Sequence, residues 1–279
     1  MGFPLALLPS SHGFVAAAPA PPMHAAVLAE TGALDAQGLE LRFFPVCDFQ
    51  RQSVAALFCT PIYAPAGAET LYGHRAFRDF TAPEWAAIDV AILEHALAFA
   101  ARLAKAGIVV AVGASVSFVT LDDPSGRQHY RDALRSAHAR EQAMLALKIE
   151  DIPEQAGGRR VAEIVSCVRP LVPRVFVHLP SSRMPLGGRE LLHASGLVLS
   201  MPARLPLHGM QSEARWLART AQLQSALACM DHVDTQMELE TVRGAAIRFA
   251  AGHALNRPAL THDAELDEIR ATLYGPALM

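Results

Sequence analysis

The stretch RFAAGHALNRPAL, residues 248–260, is apolar up to Gly252 and then turns polar, with an Arg257–Pro258 pair near its end. A short apolar run met by glycine, with proline a few residues on, reads as a strand leaving a sheet into a specifically punctuated loop. Upstream of it, short extended and helical segments alternate. Residues 127–142, 156–171, 187–196, 212–224 and 235–244 carry the helical readings, and 264–274 a closing helix. Residues 143–149, 174–179, 196–201, 225–230 and 245–250 read as extended. Repeated alternation of this kind predicts a parallel sheet. About eight strands in roughly 225 residues predict an α/β chain closed as a (β/α)8 barrel rather than an open sheet.

The start of the chain departs from a pure barrel. Residues 39–49 read as a strand limited by Pro45 to an edge or an end, and residues 53–63 follow after a short polar turn. The two predict a hairpin. A loop holding Gly67 and Gly73 comes next. Residues 82–107 then form the clearest helix, with Trp85, Ile88, Ile92, Ala96 and Phe99 at helical spacing and Gly107 at its stop. Residues 108–118 read as the strand after it.

Composition bounds the function. The 279 residues carry a net charge of -3 with acids and bases mixed, so no basic block marks a nucleic-acid surface. Cys47, Cys59, Cys167 and Cys229 are scattered without a CxxC pair, which predicts free, mostly buried thiols in a reducing cytoplasm rather than disulfides or zinc. The first residues lack a positive n-region, and Pro4 and Pro9 break their apolar run, so they do not read as a signal peptide. Residues 107–119 are too short for a membrane helix. The expected organisation is an Ala/Pro-rich tail over 1–37, a barrel over 38–262, and a closing helix and tail over 263–279.

In such a barrel chemistry sits at the C-terminal ends of the strands. Those positions hold Lys148, Glu150, Asp151, His178, Ser200, Asp231 and Asp234. His178 and Asp231 opposite Ser200 have the types of a general-base dyad, yet no nucleophile motif such as GxSxG accompanies them, and remnants of no catalytic role are the expectation. Asp231, His232 and Asp234 have the types of a metal clasp. The alternative is a helix cap at Asp234 or Thr235, just before a helical segment. Asp122 and Asp123 before Pro124 read as turn chemistry. Lys148 reads either as a phosphate contact or as the neutralising partner of Asp231 or Glu150, and the second is expected.

The opening stretch, together with MDHVDT at 230–235, resembles the closing motifs of EAL domains, the bacterial cyclic di-GMP phosphodiesterases. LRFFPVCDF (41–49), LALKIEDIP (145–153), VFVHLPSS (175–182) and SGLVLSMP (195–202) are similar in order and spacing to further motifs of that family. The resemblance spans residues 39–260. It implies a barrel whose first strand runs antiparallel, which accounts for the hairpin. The family uses Mg or Mn ions, but the ligand positions carried onto this chain are mostly non-acidic. The E-A-L signature falls on LFC or FCT (57–60), and the metal-binding Asn of V-N-L-S falls on Gly113. A metal-binding Glu falls on Lys148, the paired Asp on His178 and Leu179, and the Lys and Asp of K-I-D on Val198 and Ser200. The final Gln falls on Ala251. Asp231 and Asp234 keep acidic character, and Arg257 is expected to order its loop.

The expectation is therefore no catalytic residue, no metal and no cofactor. The mouth would be a vestigial pocket of Lys148, Glu150, His178, Ser200, Asp231, Asp234 and Arg257. The chain would act in bacterial signalling by binding an unknown protein partner, with a homodimer suggested by the resemblance alone. A non-hydrolysing cyclic di-GMP receptor and a residual phosphodiesterase are the alternatives.

Overall fold

The computed structural model describes residues 39–63, 71–73, 81–184, 186, 190–191, 193–202 and 205–275. The expected tail over 1–37 and the loop at Gly67 lie outside the described residues. Strands β1 (Leu39–Asp48) and β2 (Ser53–Tyr63) form the expected hairpin, with a bulge between Val46 and Cys47. A two-residue strand, β3 (Leu71–Tyr72), pairs antiparallel with the end of β2. From β2 the sheet runs parallel through β4 (Ala111–Ser117), β5 (Leu145–Glu150) and β6 (Arg174–Leu179). It continues parallel through β7 (Gly196–Ser200), β8 (Leu227–Asp231) and β9 (Phe249–Ala250). β9 then pairs antiparallel with β1, so eight strands close into a barrel whose first strand is antiparallel to both neighbours.

Closure rests on little backbone and one strong ion pair. β9 supplies only two residues, and the Ala251 N–H donates one more bond to the Met230 carbonyl of β8 before the chain reaches Gly252. Arg248 compensates by gripping Asp48 at the foot of β1, with Nε–Oδ1 at 2.9 Å and Nη2–Oδ2 at 2.5 Å. Asp48 is 2% exposed, so this fork works in a low-dielectric setting where paired charges interact strongly. Burial would raise the Asp48 carboxyl, but the Arg248 fork and the Arg51 and Gln50 amides outweigh it and hold the carboxylate below its ordinary range.

Gly252 explains the opening stretch. Its φ is +145°, and a Cβ there would meet the Val233 backbone at 2.3 Å, so only glycine lets the loops after β8 and β9 touch. Those loops are tied by Val233 N donating to Ala251 O and Ala254 N to Val233 O.

Helices pack on the outer face. The longest, α1 (Ala82–Lys105), starts at Thr81, whose backbone N–H donates to Glu84 at 2.7 Å, and stops before Gly107 at φ +72°. All five periodic residues, Trp85 to Phe99, are buried as its spacing predicted. Next come α2 (Phe118–Asp122), α3 (Pro124–Ser136) and α4 (Ala139–Met144). Then follow α5 (Gly157–Val168), α6 (Leu207–Leu223), α7 (Gln236–Gly244) and α8 (Leu266–Tyr274). Ile269 and Leu273 of α8 join the main core.

Several boundaries differ from the sequence reading. The helix expected over 127–142 is two helices, because Ala137 and His138 are extended and Gln142 Nε2 donates back to the Leu134 carbonyl. The strand expected over 108–118 runs only from Ala111 to Ser117, where the Ser117 hydroxyl accepts the Val119 N–H and starts α2. The strand expected over 245–250 shortens to Phe249–Ala250, since Ala245 and Ala246 still bond back to α7. The short helix expected within 187–196 falls partly outside the described residues, and its described positions are turns. The strands read as 143–149 and 225–230 start later, at Leu145 and Leu227, and extend one residue further. The four cysteines are free, three of them buried, and burial pushes the Cys47 thiol up to about 11. Among the described residues no helix is long and apolar enough to cross a membrane.

Candidate functional site

Strand alternation sorts the barrel residues into two faces. Leu57, Cys59, Val112, Ala114, Leu147 and Ile149 point outward under the helices. Their neighbours Phe58, Gly113, Lys148 and Glu150 point into the barrel. At the C-terminal end of the parallel strands, the upper mouth, Lys148 of β5 reaches across to β8. Its Nζ lies 2.6 Å from Glu150 Oε1 and 3.3 Å from Asp231 Oδ2. The ammonium also stands 5.3 Å above the centre of the Phe58 ring. Burial alone would lower the Lys148 pKa, but the two carboxylates outweigh it and keep the ammonium charged well above its ordinary value. Burial likewise opposes ionisation of Asp231, and the Lys148 charge reverses that to hold the carboxyl below its usual range.

The ring under Lys148 fills space that a side chain on β4 would need. A Cβ on Gly113 would lie 2.2 Å from the Phe58 ring, and one on Gly196 would lie 2.5 Å from Phe176. The two rings meet edge to face with centroids 5.9 Å apart, across the middle of the barrel. Of the two registers that the E-A-L comparison left open, only FCT puts its first residue, Phe58, inside the barrel. Leu57 belongs to the outer core.

His178 and Ser200 sit beside this cluster, with Nε2 and Oγ 2.9 Å apart. Burial lowers the His178 pKa, more than Glu150 raises it, so the imidazole is neutral near pH 7. Asp231 does not orient it. One Asp231 oxygen accepts from Lys148 and the other from the His232 backbone N–H. The serine, histidine and aspartate therefore do not form a relay.

The remaining sequence-selected residues go elsewhere. Asp234 bonds both the backbone N–H of His253 at 2.9 Å and its Nδ1 at 2.8 Å, joining the two loops rather than entering the Lys148 cluster. The helix cap falls on Thr235, whose hydroxyl accepts the Glu238 N–H while Glu238 accepts the Thr235 N–H. Arg257 donates to the Gly275 carbonyl at 3.2 Å and to the Ala271 carbonyl, which ties its loop to α8. Asp123 caps α3 through the Gly126 N–H, and Asp122 pairs with Arg160 at 2.6 Å. Among the described residues, no three His, Cys, Asp or Glu side chains gather closely enough to hold a metal ion. Asp151 and His232 adopt positive φ, 53° and 54°, directly after Glu150 and Asp231. This left-handed step turns the chain out of each strand at the mouth.

Sequence reasoning missed three participants. His253 left no spacing signal toward Asp234, and the Arg248–Asp48 fork joins residues 200 positions apart. Arg174, at the opposite end of β6 from His178, reads as an ordinary strand-start residue until the barrel closes.

No protein-family model matches the chain, and no curated protein matches it. Solved structures do. The FimX EAL domain of Xanthomonas citri, in complex with cyclic di-GMP, superposes with a TM-score of 0.60 at 17% identity, covering 87% of this chain and 95% of that one. The EAL enzyme Bd1971, bound to cAMP and cyclic di-GMP, gives 0.59 at 10% identity, covering 85% of this chain and 66% of that one. The S helix–GGDEF–EAL form of Vibrio cholerae LapD gives 0.64 at 13% identity, over 82% of this chain and 56% of that one. The chain thus spans nearly all of the first, and less than two thirds of the other two. It has the EAL-type barrel fold.

Proposed function

We propose that this chain is a non-hydrolysing protein on an EAL-type barrel, acting in cyclic di-GMP signalling by binding another protein. One observation carries the reading: the Lys148 ammonium, held between Glu150 and Asp231 over the Phe58 ring, stands where metal chemistry would need converging oxygens. An ammonium about 4 Å from a cation is repelled by roughly 4 kcal/mol per unit of cation charge, at an effective dielectric of about 20. Two divalent ions of the kind that activate water for in-line attack at phosphorus do not fit these residues. Lys148 is likewise poorly placed to receive a phosphate, because that anion would compete with two carboxylates already in contact. Cyclic di-GMP enters this reading only through the complexes that the similar structures contain. The outer core remains packed while the mouth charges engage one another, which favours a role for the surface.

The test is to incubate the full chain with cyclic di-GMP and manganese or magnesium, follow the nucleotide by chromatography, and titrate it calorimetrically. The expected result is no linear dinucleotide and no binding heat at micromolar nucleotide. A linear product overturns the reading. Binding without turnover replaces it with a receptor that senses the nucleotide.

A further inference from the structure

The interior of the barrel below the mouth is underfilled. Barrels of this architecture are ordinarily packed with layers of bulky branched side chains. Here several inward positions are small, among them Ala56, Ala146, Cys229 and Ala251, while Phe58 and Phe176 occupy the space beside Gly113 and Gly196, and Val46, Val198 and Phe249 also face inward. An open cavity of about 990 Å³ runs from the groove outside the upper mouth, where Arg42, Tyr72 and His253 line it, past Lys148 to Arg174 at the lower mouth. Ala56 and Ala251 each keep 7% of their surface accessible, while the inward-facing Ala146 keeps none. The Phe58–Phe176 pair crosses the lumen between the two ends.

The two ends differ in charge. At the upper mouth, one ammonium faces two carboxylates, a net of minus one. At the lower mouth, Arg51, Arg174 and Arg248 face the single acid Asp48, a net of plus two. Arg248 and Arg51 both lean on Asp48. Arg174 makes no ion pair among the described residues, although surrounding protein lowers its pKa. An anion is therefore favoured at the bottom and disfavoured at the top.

We propose that the lower part of the lumen binds an aliphatic carboxylate, its head on the Arg174 guanidinium and its chain among the small side chains beneath the Phe58–Phe176 pair. Guanidinium and carboxylate match as a two-bond fork. The apolar side chains of the lumen favour the aliphatic part of such a guest. Arg174 and Phe176 are two residues apart on β6, about 7 Å at the strand rise, which sets the length of chain that fits beneath the ring pair. Affinity should grow about three- to fourfold per methylene until the lumen is filled. The site lies apart from the Lys148 cluster and does not depend on the reading given to it.

The experiment is calorimetric titration of the full chain with hexanoate, octanoate and decanoate, and with decylamine as the control of opposite charge. Saturable one-site binding that strengthens with chain length is expected, with no decylamine binding. Arg174→Gln, at an exposed rim position, should weaken decanoate by about tenfold or more. Ala56→Leu should shorten the longest chain that binds. If Ala56→Leu does not fold by circular dichroism, Arg174→Gln and decylamine still decide. Absence of saturable binding overturns the proposal. Equal binding of decylamine, or decanoate binding unchanged in Arg174→Gln, overturns it as well.

Discussion

Leu57 and Ala56 are adjacent on β2 and lie in different physical settings. Leu57 faces the helices and is sealed in a layer rich in large apolar groups. Ala56 faces the lumen, where the neighbouring positions are Ala, Gly, Val and Cys and the volume is carried by the rings of Phe58, Phe176 and Phe249. The outer layer explains why the fold is stable without help from the interior. A (β/α)8 barrel can leave its lumen loose because the sheet is held from outside by helices and around its circumference by hydrogen bonds. That freedom is where a site can be placed, lost or changed without unfolding the scaffold.

The sharpest way to break this contrast is to truncate the outer face. Leu57→Ala should lose about 3–4 kcal/mol of stability, read by chemical denaturation, as expected for a cavity in a close-packed layer. A loss below about 1 kcal/mol would mean that the outer layer is no tighter than the lumen. Second in size is Lys148→Met, which leaves two carboxylates at the mouth without their cation and should cost about 3 kcal/mol at pH 7. It should also reverse the acid limb of the stability profile. In the native chain the folded Asp231 pKa is depressed, so its contribution is present above the unfolded carboxyl value and is lost as pH falls through the folded one. Without Lys148 the mouth carboxyls should titrate above their unfolded values. Their penalty then disappears on acidification, and the variant should gain stability between about pH 7 and 5. Denaturation midpoints at several pH values check the sign.

The smallest expected effect is the most diagnostic. Adding three carbons by Ala56→Leu in a filled core typically costs about 1–3 kcal/mol. In an open lumen it should cost less than about 1 kcal/mol, or stabilise, because the new methyls meet free space. A penalty as large as the Leu57→Ala loss would show that the lumen is already packed.

Much of the fold was legible before any coordinates. The periodicity of residues 82–107, the alternation downstream and the hairpin at 39–63 all correspond to elements that exist. Local chemistry also marked a cap at Asp234 or Thr235, which falls on Thr235, and the punctuating glycine at 252. Boundaries were less legible where a side chain intervened locally, as when Ser117 ended a strand by starting a helix. At the site, the residue types at the strand ends were readable, and so was the expectation that Lys148 would neutralise acids. The two candidate acids, Asp231 and Glu150, were readable as well; that both hold Lys148 at once was not. Glu150 and Asp231 join Lys148, while the equally acidic Asp234 turns to His253.

The sequence by itself determined the alternation of strand and helix, the antiparallel start, and the residue types that each strand end presents. These depend on contacts within a few residues, or on a period that any window of the chain displays. Only the tertiary structure decided that Phe58 rather than Leu57 enters the barrel, that its ring lies over Gly113, and that Arg248 closes the sheet onto Asp48. It also decided that the lumen is loose, since volume left unfilled is a property of eight strands brought together and of no single one.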